Sequence, residues 1–343
     1  MDKSKERPIN TIPLTLDEIY DLAQNCLATN GCDGANATAI ANTVTRAERD
    51  GSESHGLFRI PGYVASLRSG KVNGKAIPKA EHVTPAVIRL HGDNGFTPLA
   101  IEVGIPLLAE AGSTIGIATL TISHTYHFAA LWPETEALAE RGLVGLACTA
   151  YKPVVAPAGA KKALFGTNPL SFAWPRPGQP PLVYDMATSA KALGDVQIAA
   201  RDGHEVPLGT GLDADGNPTT DPEKIANGGV LLPFGGYKGS AIALMVELLA
   251  AGMVGERFSY EAAQVDNNDG GPAGGGEFLL AMSPAIIAGP EWEAHCEAFF
   301  THMMGLDGIR LPGQRRHTNR QSNAPRQINA DLVAKIRELQ SGS

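Results

Sequence analysis

The sequence predicts a mixed α/β protein, and three observations carry that reading. The N-terminal part keeps its apolar residues at helical spacing, and the middle alternates short β-rich runs with helical stretches. The third is size: 343 residues, 43% hydrophobic and 19% charged, can bury a sizeable core. At roughly 100–200 residues per domain the length corresponds to about two domains.

The elements follow in chain order. Thr15-Leu16-Asp17-Glu18 reads as a capping box, in which the Thr15 hydroxyl and the Glu18 carboxylate satisfy orphan amides at a helix start. Ile19, Leu22, Ala23, Cys26 and Leu27 continue at helical spacing until Gly31 stops the run. A second helix spans 35–49 and ends at Asp50-Gly51, and a third begins near His55 with Pro61 early in it. Between 85 and 188, VIRL, IGIATLTI, LVGLACTA and PLVYDMAT read as strands, separated by helical stretches at 97–111 and 128–141. GTGLDADGNPTTDPEKIANGG is a polar loop, followed by a helix over 238–252. The strand EFLLAMSP, a helix bearing Trp292, Phe299 and Met303, and a last helix through Leu332 and Leu339 complete the chain. Residues 261–276, which include the low-complexity GGPAGGG, receive no role.

Composition narrows the partners. A net charge of −8 provides no basic field for a nucleic acid or an anionic membrane. The most apolar long run, 240–254, contains Glu247 and is shorter than the about 18 residues of a spanning helix, so no membrane crossing is expected. MDKSKERPINT leads into no apolar segment and does not read as a secretory signal. Cys26, Cys32, Cys148 and Cys296 are scattered without a CxxC, which fits a reducing, cytoplasmic setting. With 39 glycines and 24 prolines, about 18% of the chain against an average near 12%, many turns are expected.

No G-x-G-x-x-G links a strand to a helix, and LPFGGYKGS lacks the order of a P-loop, so any dinucleotide is held by other means. Asp213-Ala214-Asp215-Gly216-Asn217 has its glycine in the wrong place for a calcium loop. Four segments do gather reactive side chains. In RDGSESHGLFRIPGY, an imidazole (His55) that can give a proton stands four residues from a guanidinium (Arg59) that can bind a carboxylate, which suits an acidic substrate if both share a helix face. The same residues also read as a helix capped by Ser54 with a surface arginine. In SHTYHFAALWP, His124 and His127 end a strand and Phe128-Ala129-Ala130 open a helix, whose amides suit a pyrophosphate. Two histidines three apart have no third ligand at a recognised spacing, and no metal is expected.

FGTNPLSFAWP offers the Thr167 hydroxyl to a carboxylate, and in DMATSAKALGDVQ Asp195 can orient an imidazole, although each also suits a turn or cap. Without a G-x-S-x-G elbow, Ser54, His55 and Asp195 do not read as a hydrolase. In LLPFGGYKGSAIALM and GIRLPGQRR, Lys238, Arg310, Arg315 and Arg316 are candidate phosphate contacts.

Taken together, ESHGLFRIPGY, SHTYHFAALWP, FGTNP, DMATSAKALGDVQ, DADGNPTTDP, LLPFGGYKGS and RLPGQRR occur in an order that resembles the non-Rossmann malate/L-lactate dehydrogenase family over nearly the whole chain. Within it the sequence is most similar to the bacterial Δ1-piperideine-2-carboxylate/Δ1-pyrroline-2-carboxylate reductases, and it departs from many relatives at Tyr126 and Tyr237, where they carry histidine. The resemblance implies a largely antiparallel nucleotide-domain sheet over 81–289, with a helical segment 1–80 packing against C-terminal helices of 290–343. It implies a homodimer using NADPH, or NADH, to reduce a small cyclic imine carboxylate. His55 is then the proton donor, with Ser54 and Asp195 as relay partners, and Arg59 and Thr167 bind the substrate carboxylate. Cofactor contacts would come from His127, Phe128, Ala129, Ala130 and Leu131; from Asp185, Met186 and Ala187; from Tyr237, Lys238 and Gly239; and from Arg310, Leu311, Pro312, Gly313, Gln314, Arg315 and Arg316.

On this reading His55 titrates near its ordinary pKa of about 6.5 and supplies the proton that the imine nitrogen needs as hydride arrives. A 2-oxo acid reductase of the same family and a noncatalytic metabolite-binding protein are the alternatives.

Overall fold

The structure, a computed structural model, describes residues 10–267, 269–270 and 274–341; part of the unassigned 261–276 stretch thus lies outside the described residues. The chain opens with strand β1 (Thr11–Leu14) and helices α1 (Leu16–Thr29) and α2 (Gly34–Asp50). The capping box forms: Glu18 N donates to Thr15 Oγ1 at 3.2 Å and Thr15 N to Glu18 Oε2 at 2.8 Å. Past α2, the helix expected near His55 is instead two successive 3-10 turns, Glu53–His55 and Leu57–Arg59, before α3 (Ile60–Arg68) begins with Pro61 in its first turn. Glu48 is the cause. Its buried carboxylate accepts from Leu57 N at 2.7 Å and packs so closely on Gly56 that any Cβ there would overlap it.

The middle of the chain supplies β2 (Lys79–Thr84), β3 (Val87–Phe96), α4 (Thr97–Ile115), β4 (Ile117–Tyr126), α5 (Trp132–Ala139), β5 (Val144–Thr149), β6 (Leu170–Trp174), β7 (Leu182–Met186) and α6 (Leu193–Asp202). The segment read as a polar loop folds into a small sheet of β8 (Gly211–Leu212), β9 (Pro218–Thr219) and, after α7 (Pro222–Ala226), β10 (Val230–Leu231). Within it Asp213 Oδ1 accepts from Asp215 N and Asn217 N, which makes DADGN a turn. Helix α8 (Tyr237–Glu247) runs on as a π-helical segment (Leu248–Met253), followed by α9 (Ser259–Val265), β11 (Gly275–Met282), α10 (Pro284–Ala288), α11 (Trp292–Met304), α12 (Gln314–Arg320), β12 (Arg326–Asn329) and α13 (Ala330–Ser341).

Seven strands form the main sheet in the order β2-β3-β4-β11-β5-β6-β7, with β3 and β4 parallel and the other neighbours antiparallel. The parallel pair needs a crossover, and α4 provides it. At 19 residues and a mean hydropathy of 1.2, α4 is long and apolar enough to cross a membrane, although the sequence points to 240–254 as the most apolar long run. Its Ala100, Ile105, Leu108 and Ala111 instead pack on Leu90, Leu120, Ile122 and Leu279 of the sheet.

A second core joins the two chain ends. Ile19, Ala23, Leu27, Ile40 and Val44 of α1 and α2 pack with Ile328, Val333 and Ile336, and β1 pairs with β12. The 290–343 segment does not act as one unit, however. Helix α11, expected beside the N-terminal helices, lies against β6: Trp292 meets Trp174 edge-on at 6.0 Å, and Glu297 pairs with Arg176 through contacts of 2.8 and 2.6 Å.

One ionic network ties these parts together. The Asp50 carboxylate, at the end of α2, accepts from Arg49 Nε at 2.8 Å, Trp132 Nε1 at 3.2 Å and Arg320 Nε and Nη2 at 2.9 and 2.6 Å. Arg320 also holds Glu136 of α5 through contacts of 2.8 and 2.6 Å. Burial alone would raise the Asp50 pKa, but the hydrogen bonds from Arg320 and Arg49 outweigh it and hold the carboxyl below its ordinary value. A carboxyl lowered in the folded state stabilises the fold above its unfolded pKa, and that contribution is lost as pH falls through the folded one. Arg320→Ala leaves a fully buried carboxylate short of its main partner and should lower unfolding free energy by about 3–5 kcal/mol in urea titrations followed by circular dichroism. An unchanged denaturation midpoint would show that the network carries no such load.

Candidate active site

A cavity of about 610 Å³ opens where these elements meet. Its wall takes residues from the 51–55 turn, the start of α5, Thr167, the end of β7, the first turns of α6 and the start of α12. The α12 segment is stitched to the sheet edge: Val183 N donates to Pro312 O at 3.4 Å, Arg316 Nη2 to Val183 O at 2.8 Å, and His317 Nε2 meets Pro181 O at 2.9 Å. This anchoring puts Arg315 and Arg316 on the cavity, with the Arg316 guanidinium 5.1 Å over the Trp132 ring.

Ser54 and His55 line the cavity, with Ser54 Oγ 3.2 Å from His55 Nδ1. Arg59 folds back behind them, its Nε donating to Ser54 O at 2.7 Å. The two 3-10 turns thus bring His55 and Arg59 together in place of the shared helix face expected from their spacing. Helix α6 comes in over the same spot because residue 194 is glycine. A Cβ there would sit 2.9 Å from Arg59 Nη2 and 3.0 Å from the Ser54 Cβ, and this close approach sets Asp195 on the cavity wall beside the pair. Thr167 lines the cavity as well, its carbonyl accepting from Thr188 N and Thr188 Oγ1, each at 2.8 Å.

The electrostatics correct one expectation. Burial, then the positive charge of Arg59, then His127, push the half-buried His55 down to about 3 rather than leaving it near 6.5. The imidazole of the free cavity is therefore neutral at neutral pH. A second correction concerns the amides at the start of α5, expected to await a pyrophosphate. Leu131 N and Trp132 N donate to Asp185 Oδ2 at 2.8 and 3.1 Å, so the protein's own carboxylate occupies that helix end. Burial pushes the Asp185 carboxyl up to about 6, against the pull of those two amides and of Arg316.

The remaining predicted cofactor contacts scatter. Ala129, Ala130, Leu131, Asp185 and Ala187 line the cavity, while Met186 is exposed beside it. Phe128 joins an aromatic cluster with Tyr63, Phe96 and Tyr151, and the His127 ring faces Glu134 and Glu277 behind the wall. Tyr237 and Lys238 are exposed and off the cavity, and Gly239 is buried, its N–H donating to Phe234 O at 3.0 Å. Leu311, Pro312 and Gln314 line a neighbouring cavity of about 320 Å³ together with Arg176, Gly313 starts α12, and Arg310 is exposed. Tyr126 hydrogen-bonds Lys71 O at 3.3 Å, away from the site.

Sequence reasoning missed Lys191 and His204 on the cavity wall. Lys191 had a usable signal, a lone cation in the small-residue turn before Gly194 and Asp195; His204 had none. Lys191, Arg315 and Arg316 share the wall with Glu53, Asp185, Asp195 and Glu205, and these three cations are the groups on it suited to the phosphates of a nicotinamide dinucleotide.

The chain is similar to known proteins over nearly its whole length. The chain is 43% identical over 333 residues to the Delta(1)-pyrroline-2-carboxylate reductase of Ancylobacter novellus, covering 96% of this chain and 97% of that one. It is 44% identical over 310 residues to a Delta(1)-pyrroline-2-carboxylate/Delta(1)-piperideine-2-carboxylate reductase of Pseudomonas putida, covering 90% of each. Among solved structures, the delta1-piperideine-2-carboxylate reductase of Pseudomonas syringae superposes with a TM-score of 0.90 at 42% identity, over 96% of this chain and all of the other (100%). The sulfolactate dehydrogenase of Methanocaldococcus jannaschii superposes with a TM-score of 0.85 at 26% identity, over 96% of this chain and 97% of the other. The malate/L-lactate dehydrogenase family pattern spans residues 14–337, and the chain belongs to that family.

Proposed function

We propose that this protein reduces small cyclic ketimine carboxylates with a nicotinamide cofactor, taking Δ1-pyrroline-2-carboxylate to proline and Δ1-piperideine-2-carboxylate to pipecolate, the L forms by resemblance. The observation that carries the reading is the gathering of Ser54, His55, Thr167 and Asp195 on one cavity with Lys191, Arg315 and Arg316. Relatives named for these activities at 41–44% identity over most of the chain support the choice of substrate.

The reaction adds a hydride to the imine carbon and requires one proton at nitrogen; a bound nicotinamide supplies the hydride. The chain's residues do the rest. Thr167 on the wall and Arg59 behind it offer a hydroxyl and a positive charge to the substrate carboxylate, fixing the ring and making transfer effectively intramolecular. Burial is the first cause that keeps His55 neutral and the Arg59 charge the second; a carboxylate docked near Arg59 offsets the second and so favours a proton on the imidazole for the nitrogen. Ser54 at His55 Nδ1, with Asp195 close by, fixes the ring's orientation.

NADPH is the favoured cofactor, because Arg315 and Arg316 suit a 2′-phosphate. Exposed Leu244 on α8 and Leu248 at the start of the π-helical segment, with Ile286, Ile287 and Phe299, support a homodimer, and four cysteines without a disulfide suit the cytoplasm.

The deciding assay follows oxidation of NADPH and NADH with pyrroline-2-carboxylate, piperideine-2-carboxylate, pyruvate and oxaloacetate in parallel. The cyclic imines should exceed the open-chain acids by at least about 100-fold in kcat/KM, with NADPH preferred. A preference for pyruvate or oxaloacetate would establish the 2-oxo acid reductase instead, equal kcat/KM for the two cofactors would refute the 2′-phosphate reading, and no turnover with any would leave a binding protein. His55→Gln should cut kcat by about 10²–10⁴ with a smaller change in KM, whereas Arg59→Ala should chiefly raise KM. Full turnover in the His55 variant would remove it from the mechanism.

A further inference from the structure

Behind the active-site wall, three ionisable side chains from separate elements converge. His127 follows the last residue of β4, Glu134 lies in the first turn of α5, and Glu277 lies on β11, paired with Ile122 of β4 and Thr149 of β5. Their side chains are 8%, 5% and 1% exposed. His127 Nε2 is 3.6 Å from Glu134 Oε1 and 3.8 Å from Glu277 Oε2, and the candidate ligand atoms all lie within 4.8 Å of one another.

Those separations are too long for N–H···O hydrogen bonds, which fall at about 2.7–3.2 Å. They are close to the about 3.4 Å between two ligand atoms that share a tetrahedral ion at about 2.1 Å. Among the described residues, His127 Nε2, Glu134 Oε2 and both Glu277 oxygens have no hydrogen-bond partner. Imidazole nitrogen with carboxylate oxygen is a ligand set for a divalent first-row metal. A separate cavity of about 390 Å³ reaches His127 and Glu134 and gives an ion a way in.

We propose that His127, Glu134 and Glu277 bind one divalent zinc-class cation that fastens β4, α5 and β11 together. The ion is structural: none of its three ligands lines the active-site cavity. Sequence spacing conceals the site because the second ligand stands across a helix start and the third on a distant strand.

The test uses the full chain, stripped with a chelator, dialysed against zinc, desalted, and measured by plasma mass spectrometry. Wild type should retain about one zinc per chain and gain several degrees in Tm on zinc addition, while Glu277→Gln and Glu134→Gln should lose both responses. Zinc X-ray absorption should show only nitrogen and oxygen neighbours at about 2.0–2.2 Å. That shell reads the site in wild type even if neither variant folds. No zinc retained by wild type, equal retention in folded variants, or sulfur in the coordination shell would each overturn the site.

Discussion

The Asp50 carboxylate is the point at which the molecule's distant parts become one cavity. It sits at the end of α2, just before the turn that carries Ser54 and His55, and it grips Arg320 of α12, the helix that also carries Arg315 and Arg316. Arg320 then reaches Glu136 on α5, whose first turn supplies Leu131 and Trp132 to the wall, and Trp132 returns a hydrogen bond to Asp50. A buried carboxylate is unfavourable alone, so the N-terminal helix, the sheet domain and the C-terminal segment must arrive together to satisfy it.

Within the frame so built, charge is placed against chemistry. His55 and Arg59 approach each other because Glu48 pins the intervening turn, and the result is an imidazole held neutral beside a fixed guanidinium. Such a site is poorly matched to itself and better matched to an anion. On the proposed function a substrate carboxylate would supply negative charge beside Arg59, coupling binding to readiness for proton transfer. Asp185 works in the other direction: it fills the start of α5 with the protein's own carboxylate, leaving Lys191, Arg315 and Arg316 as the groups suited to a phosphate.

How much of this could be read from the residues follows from the range of each interaction. The capping box at Thr15, the end of α2 at Gly51, helix α4 and most strands of the main sheet rest on local periodicity and turn chemistry and are legible, whereas edge strand β2, exposed at every residue, carries no such signal. The turns at 53–59 are not, because Glu48 acts from nine positions away, and neither is the pairing of Asp50 with Arg320 across 270 positions. Helix α12 is polar throughout and shows no apolar stripe, and β8 to β10 are two-residue strands. For the site, residue types and family resemblance located Ser54, His55, Thr167 and Asp195, while the state of His55 depends on burial and on neighbours brought in by the fold.

If a carboxylate ligand recharges His55, binding draws a proton from solution. Calorimetric titration of the protein with pyrrole-2-carboxylate, a planar and unreactive ring acid, in buffers of different ionisation enthalpy gives the protons taken up per ligand bound. The account predicts uptake by wild type that increases as pH is lowered from 8 to about 6, and none by His55→Gln. Identical enthalpies in every buffer for wild type would contradict it and place the reaction's proton on the substrate nitrogen before binding.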